Sequence, residues 1–391
     1  MTSRRKFLKS LAAFPPVVSS LSWAPFASEA FAAGEKEVFN YGVLLPLTGG
    51  AAPFGLDQVK AHMWAVDEIN AAGGANGRKL HPIVLDSQAK PDVGVAGATR
   101  LASVDKVPMF VTAFSAVVAA VAPVANRNKV LALSAGANSP RIAKLGDYVY
   151  TTYPLADVDV TLLAKYAYQK IGARRAAAIF VNDESGIYGA EVFRDAFKKL
   201  GGEVGAFESY EPTATDYTGA VLKIRAANPQ VVHLHGNASD TPIALGQMRQ
   251  LGITVPVTTN TAGYNPELIK KIGTAADGLI IATLAPGPKD SPRVEKYVER
   301  WQKEEKRIPN NMPNTQYVHD AAYVVKALVE ECDKDGKALT GENLRAALLK
   351  VHTFNLPLTD TVTIREDHTV TKPVYLIGVK DAKFVEMGRF E

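Results

Sequence analysis

Several short runs of this chain are apolar from end to end rather than alternating, and that continuity constrains the fold more than any other feature. The runs YGVLLPL (41–47), HPIVLD (81–86), VPMFVTAF (107–114) and KVLALSA (129–135) leave no polar face. A strand with one wet face alternates apolar and polar residues, whereas a parallel strand covered by helices on both faces reads as a continuous hydrophobic run. Helical patterns lie between the runs. In LDQVKAHMWAVDEINAAGG (56–74), Val59, Met63, Val66 and Ile69 form one stripe, which Gly73 and Gly74 stop. The β-α-β-α order predicts a doubly wound sheet.

The pattern then begins again. Strand candidates RRAAAIFVND (174–183), GEVGAFESYE (202–211), PQVVHLHG (229–236), TVPVTTN (254–260) and DGLIIATLAP (277–286) alternate with helical segments 188–200, 216–227 and 240–251. Two consecutive α/β units predict two doubly wound lobes. Residues 291–350 are helical with too few strands for a third domain, so they are expected to pack back on the first lobe. The β-rich tail KPVYLIGVKDAKFVEMGRF (372–390) is expected to return to the second. The expected division is 38–155 plus 286–355 for one lobe and 156–285 plus 356–391 for the other. Several chain crossings between them make a hinge.

The first residues, MTSRRKFLKS, carry paired arginines and lead through a moderately apolar run to EAFAAG. This reads as an export signal over residues 1–33, and SRRKFLK resembles the twin-arginine type. Pro15, Pro16 and Pro25 break the run short of the roughly 20 apolar residues that span a bilayer. A soluble periplasmic protein is therefore expected, with no direct membrane insertion. The signal holds four basic residues and one acidic one, so the 44 and 40 of the whole chain become 40 and 39, a net charge of +1. That balanced, interspersed pattern lacks the basic patch that nucleic-acid binding needs. The single cysteine, Cys332, excludes an intramolecular disulfide.

No nucleotide cradle is present. GGANG (73–77) follows a helix rather than a strand, and neither glycine fingerprint of phosphate binding occurs, so no cofactor is expected. Ligands of open α/β sheets bind beyond the carboxyl ends of the strands. With two such lobes, the cleft between them is the expected site, lined by Thr48–Gly55, Ser115–Val117, 134–140, 182–189, 235–240 and 259–265. Ser115, in FSAVVAAVAP, falls after a strand and opens a helix. Its hydroxyl and the following backbone N–H groups, including that of Ala116, form a donor cluster suited to a carboxylate. A plain helix cap is the alternative, and both can hold at once. A nucleophile is the weaker reading, since no G-x-S-x-G elbow surrounds it.

From Tyr41 to about Pro286 the chain resembles the leucine/isoleucine/valine-binding protein family, the type I periplasmic binding proteins of ATP-binding-cassette importers. The features that carry this are GVLLPLTGGAAPFG, the serine of FSAVVAAVAP, LSAGANSP, VNDESGIYG, DYTGAVLKIRAANPQVV and LGQMRQLGI. The resemblance implies two lobes closing on a small solute without catalysis, followed by docking on a membrane permease. It implies that Ser115 receives the ligand carboxylate and that Gly136 and Asn138 supply the next contacts. Tyr188 would reach across from the second lobe, and Phe54 would line the entrance. Asn237 or Ala238 stands where relatives have a tyrosine. Thr261 stands where amino-acid binders place an acid against the substrate ammonium. Either Asp183, Glu184 or Asp240 substitutes, or the ligand carries no ammonium, as in relatives that take aromatic or aliphatic acids or amides. The disulfide cysteines of relatives correspond to Ala89 and Phe114.

Other features read as ordinary structure. His233 and His235 share a strand face but lack further ligands for a metal, so His233 is expected in the core and His235 at the cleft. Asp183–Glu184 fits a helix start better than acid/base catalysis. The run EKYVERWQKEEKR (295–307) fits a wet helix face, and Trp64 and Trp301 fit the core. The expected function is capture of a branched-chain amino acid or related small carboxylate for an importer. An enzyme using the same cleft and a sensor domain are the rivals.

Overall fold

The computed structural model describes residues 36–390; the export signal read over 1–33 lies outside the described residues. The first lobe runs β1 (Phe39–Leu45), α1 (Ala52–Ala71), β2 (Leu80–Asp86), α2 (Pro91–Ser103), β3 (Met109–Thr112), α3 (Ser115–Asn128), β4 (Leu131–Ser134) and β5 (Val149–Thr151). Its sheet has the order β2-β1-β3-β4-β5, parallel throughout. The second lobe runs α4 (Ala156–Gln169), β6 (Arg175–Val181), α5 (Glu184–Lys199), β7 (Glu203–Tyr210), α6 (Thr218–Ala226), β8 (Val231–His235), α7 (Thr241–Gln250), β9 (Val257–Thr259), α8 (Pro266–Ile272) and β10 (Leu279–Thr283). These five strands pair in parallel in the order β10-β9-β8-β6-β7.

Both sheets have the same winding: the first strand of each lobe lies second in its sheet, between the strands that follow it. Strand order reverses beside β1 in one lobe and beside β6 in the other. Such switch points open a crevice at the carboxyl ends, because the flanking helices leave toward opposite faces there. The central strands β3, β4, β8 and β10 are buried at every residue, as their continuous apolar runs require. The edge strand β7 is mostly exposed or partly covered, with only its last residue, Tyr210, buried.

The helical region divides into α9 (Pro292–Glu305), α10 (Met312–Lys334) and α11 (Gly341–Val351). Trp301 of α9 packs against Trp64 of α1 with ring centroids 4.9 Å apart. The stripe predicted on α1 covers only part of its buried surface. Asp57, Gln58 and His62 are buried beside Val66 and Ile69, because α9 and α10 enclose a second face of the helix. His62 Nδ1 donates to the Val318 carbonyl at 2.7 Å, which leaves Nε2 to accept from the Tyr41 hydroxyl at 2.6 Å. That chain ties α10, α1 and β1 together.

The tail differs from expectation in one segment. Strands β11 (Thr353–Leu356), β12 (Asp360–Ile364) and β13 (Val370–Thr371) form a small antiparallel sheet of their own. It is anchored to the first lobe. Asp320 of α10 accepts from the N–H groups of Leu358 and Thr359 at 2.9 and 2.7 Å, and His368 stacks on Tyr150 at 4.1 Å. Return to the second lobe therefore comes at about residue 372 rather than 356. The half-polar sequence DTVTIREDHTVT explains why, since it cannot serve as a strand covered on both faces. Strands β14 (Val374–Lys380) and β15 (Lys383–Phe390) then extend the second sheet, β14 antiparallel to β10 and β15 antiparallel to β14.

The chain passes between the lobes after β5, after β10 and before β14. Tyr317 Oη and Gln316 Nε2 of α10 donate to the carbonyls of Leu284 and Pro286 at 2.8 and 3.1 Å, which fastens the second crossing. Just past the first crossing lies Asp159, 1% exposed, in the first turn of α4. Burial pushes its carboxyl up to about 8, although the Val160 N–H pulls the other way. The carboxyl is neutral in the fold, while the unfolded chain releases its proton above pH 3.8. Its contribution is therefore complete at acid pH and is lost as pH rises from about 4 towards 8. Asp159→Asn, neutral at every pH, is expected to gain stability over wild type progressively across that window. Urea unfolding at pH 5 and pH 8 measures this, and an equal difference at both would contradict it.

Candidate functional site

A cavity of about 860 Å³ lies between the lobes at the carboxyl ends of both sheets. Of the residues singled out from sequence, Phe54, Ser115, Ala116, Gly136 and Asn138 line it from the first lobe, and Asn237 and Thr261 from the second. Tyr188 is placed outside it. Its hydroxyl accepts from Arg141 Nη1 at 3.0 Å, and the guanidinium lies 5.1 Å from its ring centre.

Ser115 is the best-defined polar group on the first-lobe wall. The chain enters α3 through Phe114 at φ 68°, a left-handed conformation unusual for a side chain of that size. Phe114 offers no side-chain cap, and the N–H groups of Ser115, Ala116 and Val117 have no acceptor among the described residues. Ser115 Oγ itself accepts from the N–H groups of Asn138 and Ser139 at 3.3 and 3.2 Å. With two N–H groups accepted, the hydroxyl has no acceptor for its own proton among the described residues. A hydroxyl beside an uncapped helix N-terminus is chemically suited to an anion.

The second-lobe wall is polar, and its two lining carboxylates, Asp183 and Glu184, both accept hydrogen bonds from within the protein. Asp183 caps α5 through Oδ1, 2.9 Å from the Gly186 N–H, and its Oδ2 accepts from Asn237 Nδ2 at 2.9 Å. Asp240 lies behind the loop, accepting from the Asn237 N–H at 2.7 Å, and burial pushes its carboxyl up to about 7. Thr261 donates to the Ala282 carbonyl at 3.1 Å. Glu184 faces the first lobe, where it accepts from Ser139 Oγ at 3.1 Å and Arg141 Nη1 at 3.2 Å.

Beneath this wall lies His235, fully buried. Its Nε2 lies 3.2 Å from Asn260 Nδ2, 3.4 Å from Ser185 Oγ and 3.5 Å from Asn138 Nδ2, so it supports the lining from one layer below. Burial pulls its pKa down to about 3, which keeps the ring neutral. Nε2 as acceptor puts the proton on Nδ1, which donates to His233 Nε2 at 3.3 Å. His233 Nδ1 in turn donates to Thr258 Oγ1 at 3.1 Å. The pair is thus a buried hydrogen-bonded relay, and the described residues hold no group of His, Cys, Asp and Glu arranged for a metal. Gly189 of the IYG stretch packs directly on the His235 ring: a Cβ there would lie 2.1 Å from Cε1.

At the mouth of the cleft, apart from the apolar cluster that both lobes share at the crossings, the lobes meet along one rim. Besides the Glu184 contacts, Ser185 Oγ donates to Asn138 Oδ1 at 2.5 Å. Arg141 is 53% exposed in its ion pair with Glu184, and such pairs contribute only about 0–1 kcal/mol. These rim contacts are weak ones, and a ligand bound to both walls adds to them.

Further lining residues carried no local signal in the sequence. Tyr153 belongs to the first crossing, Gln58 to the interior of α1, and Asn311 and Asn314 to the start of α10. Only the return of α10 onto the first lobe brings the last two to the cleft. Asn260 lies at the end of β9, within a loop expected to line it.

Two wound α/β lobes around a polar-lined cleft of this size have the architecture of a solute-binding protein. Residues 40–383 match the periplasmic binding protein family, and the chain belongs to it. That family consists of binding proteins rather than enzymes. The chain is similar to an amino acid binding protein of Pseudomonas aeruginosa, 28% identical over 234 residues. That match covers 59% of this chain and 63% of the relative, somewhat less than two thirds of its length. It is also similar to a Leu/Ile/Val-binding protein of Rhizobium johnstonii, 29% identical over 348 residues that cover 87% of this chain and 89% of the other. In fold it is similar to a solute-binding protein of an ABC transporter from Rhodopseudomonas palustris, solved with 3,4-dihydroxybenzoic acid. That likeness has a TM-score of 0.80 at 21% identity and covers 90% of this chain and 97% of that one. Among the described residues, no helix is long and apolar enough to cross a membrane.

Proposed function

We propose that this protein captures a small carboxylate lacking an α-ammonium group in the cleft and delivers it to the membrane permease of an ABC importer. The observation that carries the carboxylate is Ser115, whose hydroxyl accepts two backbone N–H groups and has no acceptor for its proton among the described residues, beside the unpaired N–H groups that open α3. The case against an α-ammonium comes from the acids. An ammonium taken out of water needs a carboxylate beside it. Thr261 stands at the expected position with its hydroxyl committed to Ala282. Asp183 is occupied as a helix cap, and Glu184 is paired with Arg141.

First-lobe groups at Ser115 and Asn138 hold the head, and second-lobe groups at Asn237 and Ser185 close over it. Binding to both walls shifts the population to the closed form that the permease recognises. This reading includes a periplasmic location and export through the twin-arginine stretch SRRKFLK.

A thermal-shift panel of amino acids against aliphatic and aromatic acids tests it. A ligand at a hundred times its Kd stabilises the fold by about 2.7 kcal/mol. Selective stabilisation by acids without nitrogen at the α-carbon is the expected result. A response confined to leucine, isoleucine and valine would contradict the ammonium argument, and recovery of a chemically altered acid would contradict binding without catalysis.

A further inference from the structure

The cavity has a further polar wall, formed by residues of α1 and the start of α10 and adjoining Gly136. Gln58 on α1, Asn311 just before α10 and Asn314 in its first turn all line the cavity. Gln58 is 2% exposed and Asn311 8%, yet the side-chain oxygens of all three amides are buried without a hydrogen-bond partner. The nearest acceptor for Asn314 Nδ2 is the Gly136 carbonyl, at 3.5 Å. Buried amide oxygens are ordinarily satisfied, and three unmet on one cavity wall mark a place where something else supplies the donors.

We infer that Gln58, Asn311 and Asn314 form a subsite selecting a ligand whose far end carries an uncharged hydrogen-bonding group, a hydroxyl or a carboxamide, rather than hydrocarbon. The inference rests on the proposed binding of a small carboxylate and adds the chemistry of its other end. Charge narrows the class. Asp57, beside Gln58, is locked in a two-pronged pair with Arg307 and also accepts from the Asn310 N–H at 2.8 Å. No lining residue of the cavity is Lys, Arg or His. The wall therefore has neither a free carboxylate for a cation nor a cation for a second anion. A neutral N–H or O–H group meets the amide oxygens, and an amide or hydroxyl also accepts from the amide NH2 groups. A branched hydrocarbon end seated there would leave all three oxygens dry, which a site built for hydrogen bonding penalises.

Calorimetric titration of the protein with size-matched pairs tests this. Succinamate is compared with 4-methylpentanoate, which exchanges a carboxamide for an isopropyl group. 4-Hydroxybenzoate is compared with 4-methylbenzoate, which exchanges a hydroxyl for a methyl. The expected result is that, in at least one pair, the polar member binds tenfold or more tightly, and that in Gln58→Leu and Asn314→Leu the ratio falls towards one. Equal or tighter binding of the hydrocarbon member in both pairs would overturn the inference, and so would a ratio unchanged in both variants. The wild-type comparison is decisive even where a variant fails to fold. Binding of these acids without preference leaves the carboxylate receptor standing and removes only the subsite, whereas a response confined to amino acids removes both.

Discussion

Ser115→Ala is expected to weaken binding of a small carboxylate roughly tenfold to a hundredfold, because a hydrogen bond to a charged group contributes about 1.5–3 kcal/mol. The loss has two parts. The hydroxyl proton disappears from the anion site, and the N–H groups of Asn138 and Ser139 lose the oxygen they share. The second part also lowers stability, by about 1 kcal/mol. Titration and urea unfolding separate them, since binding must fall by more than the melting of the fold accounts for. Ser115→Thr keeps a hydroxyl and is expected to retain much of the affinity. Unchanged affinity in Ser115→Ala would remove this residue from the site.

Trp301→Ala is expected to destabilise the protein by about 3–5 kcal/mol, the usual cost of deleting a fully buried large aromatic. Trp301 has no exposed surface and meets Trp64 at 4.9 Å and Tyr297 at 6.3 Å. Lys60 and Arg307 place cationic groups 6.0 and 5.4 Å from its ring centre. These contacts fix α9 on α1, and the segment that follows carries Asn311 into the cleft. Ligand affinity is therefore expected to fall along with stability. A change below about 1 kcal/mol in urea unfolding would show that α9 is not held this way.

The parts of the molecule legible in sequence are those with a local physical cause. VVHLH and LIIAT read as strands covered on both faces because no residue in them offers a wet side. Ser115 was recognisable because the end of an apolar run and the start of a helix coincide there. Trp301 read as core because it falls on the apolar side of a charged helix. Gln58 was not legible: its burial follows from α9 and α10 enclosing α1, a long-range event that its neighbours do not encode. Asn311 and Asn314 were hidden for the same reason. The small sheet at Thr353–Thr371 was missed because its half-polar strands carry little apolar signal, and its place is set by Asp320 and Tyr150 far away in the chain. Tyr188 has the character of a cleft residue, but Arg141 and its own position along α5 keep it at the rim.

The most direct test is a crystal structure of the complex with an acid selected by the thermal-shift panel. The account predicts its carboxylate within about 3 Å of Ser115 Oγ and of the first free N–H groups of α3, with both lobes in contact. A carboxylate seated anywhere else in the cleft, or an acid bound with its head against the second lobe and Ser115 untouched, would contradict it.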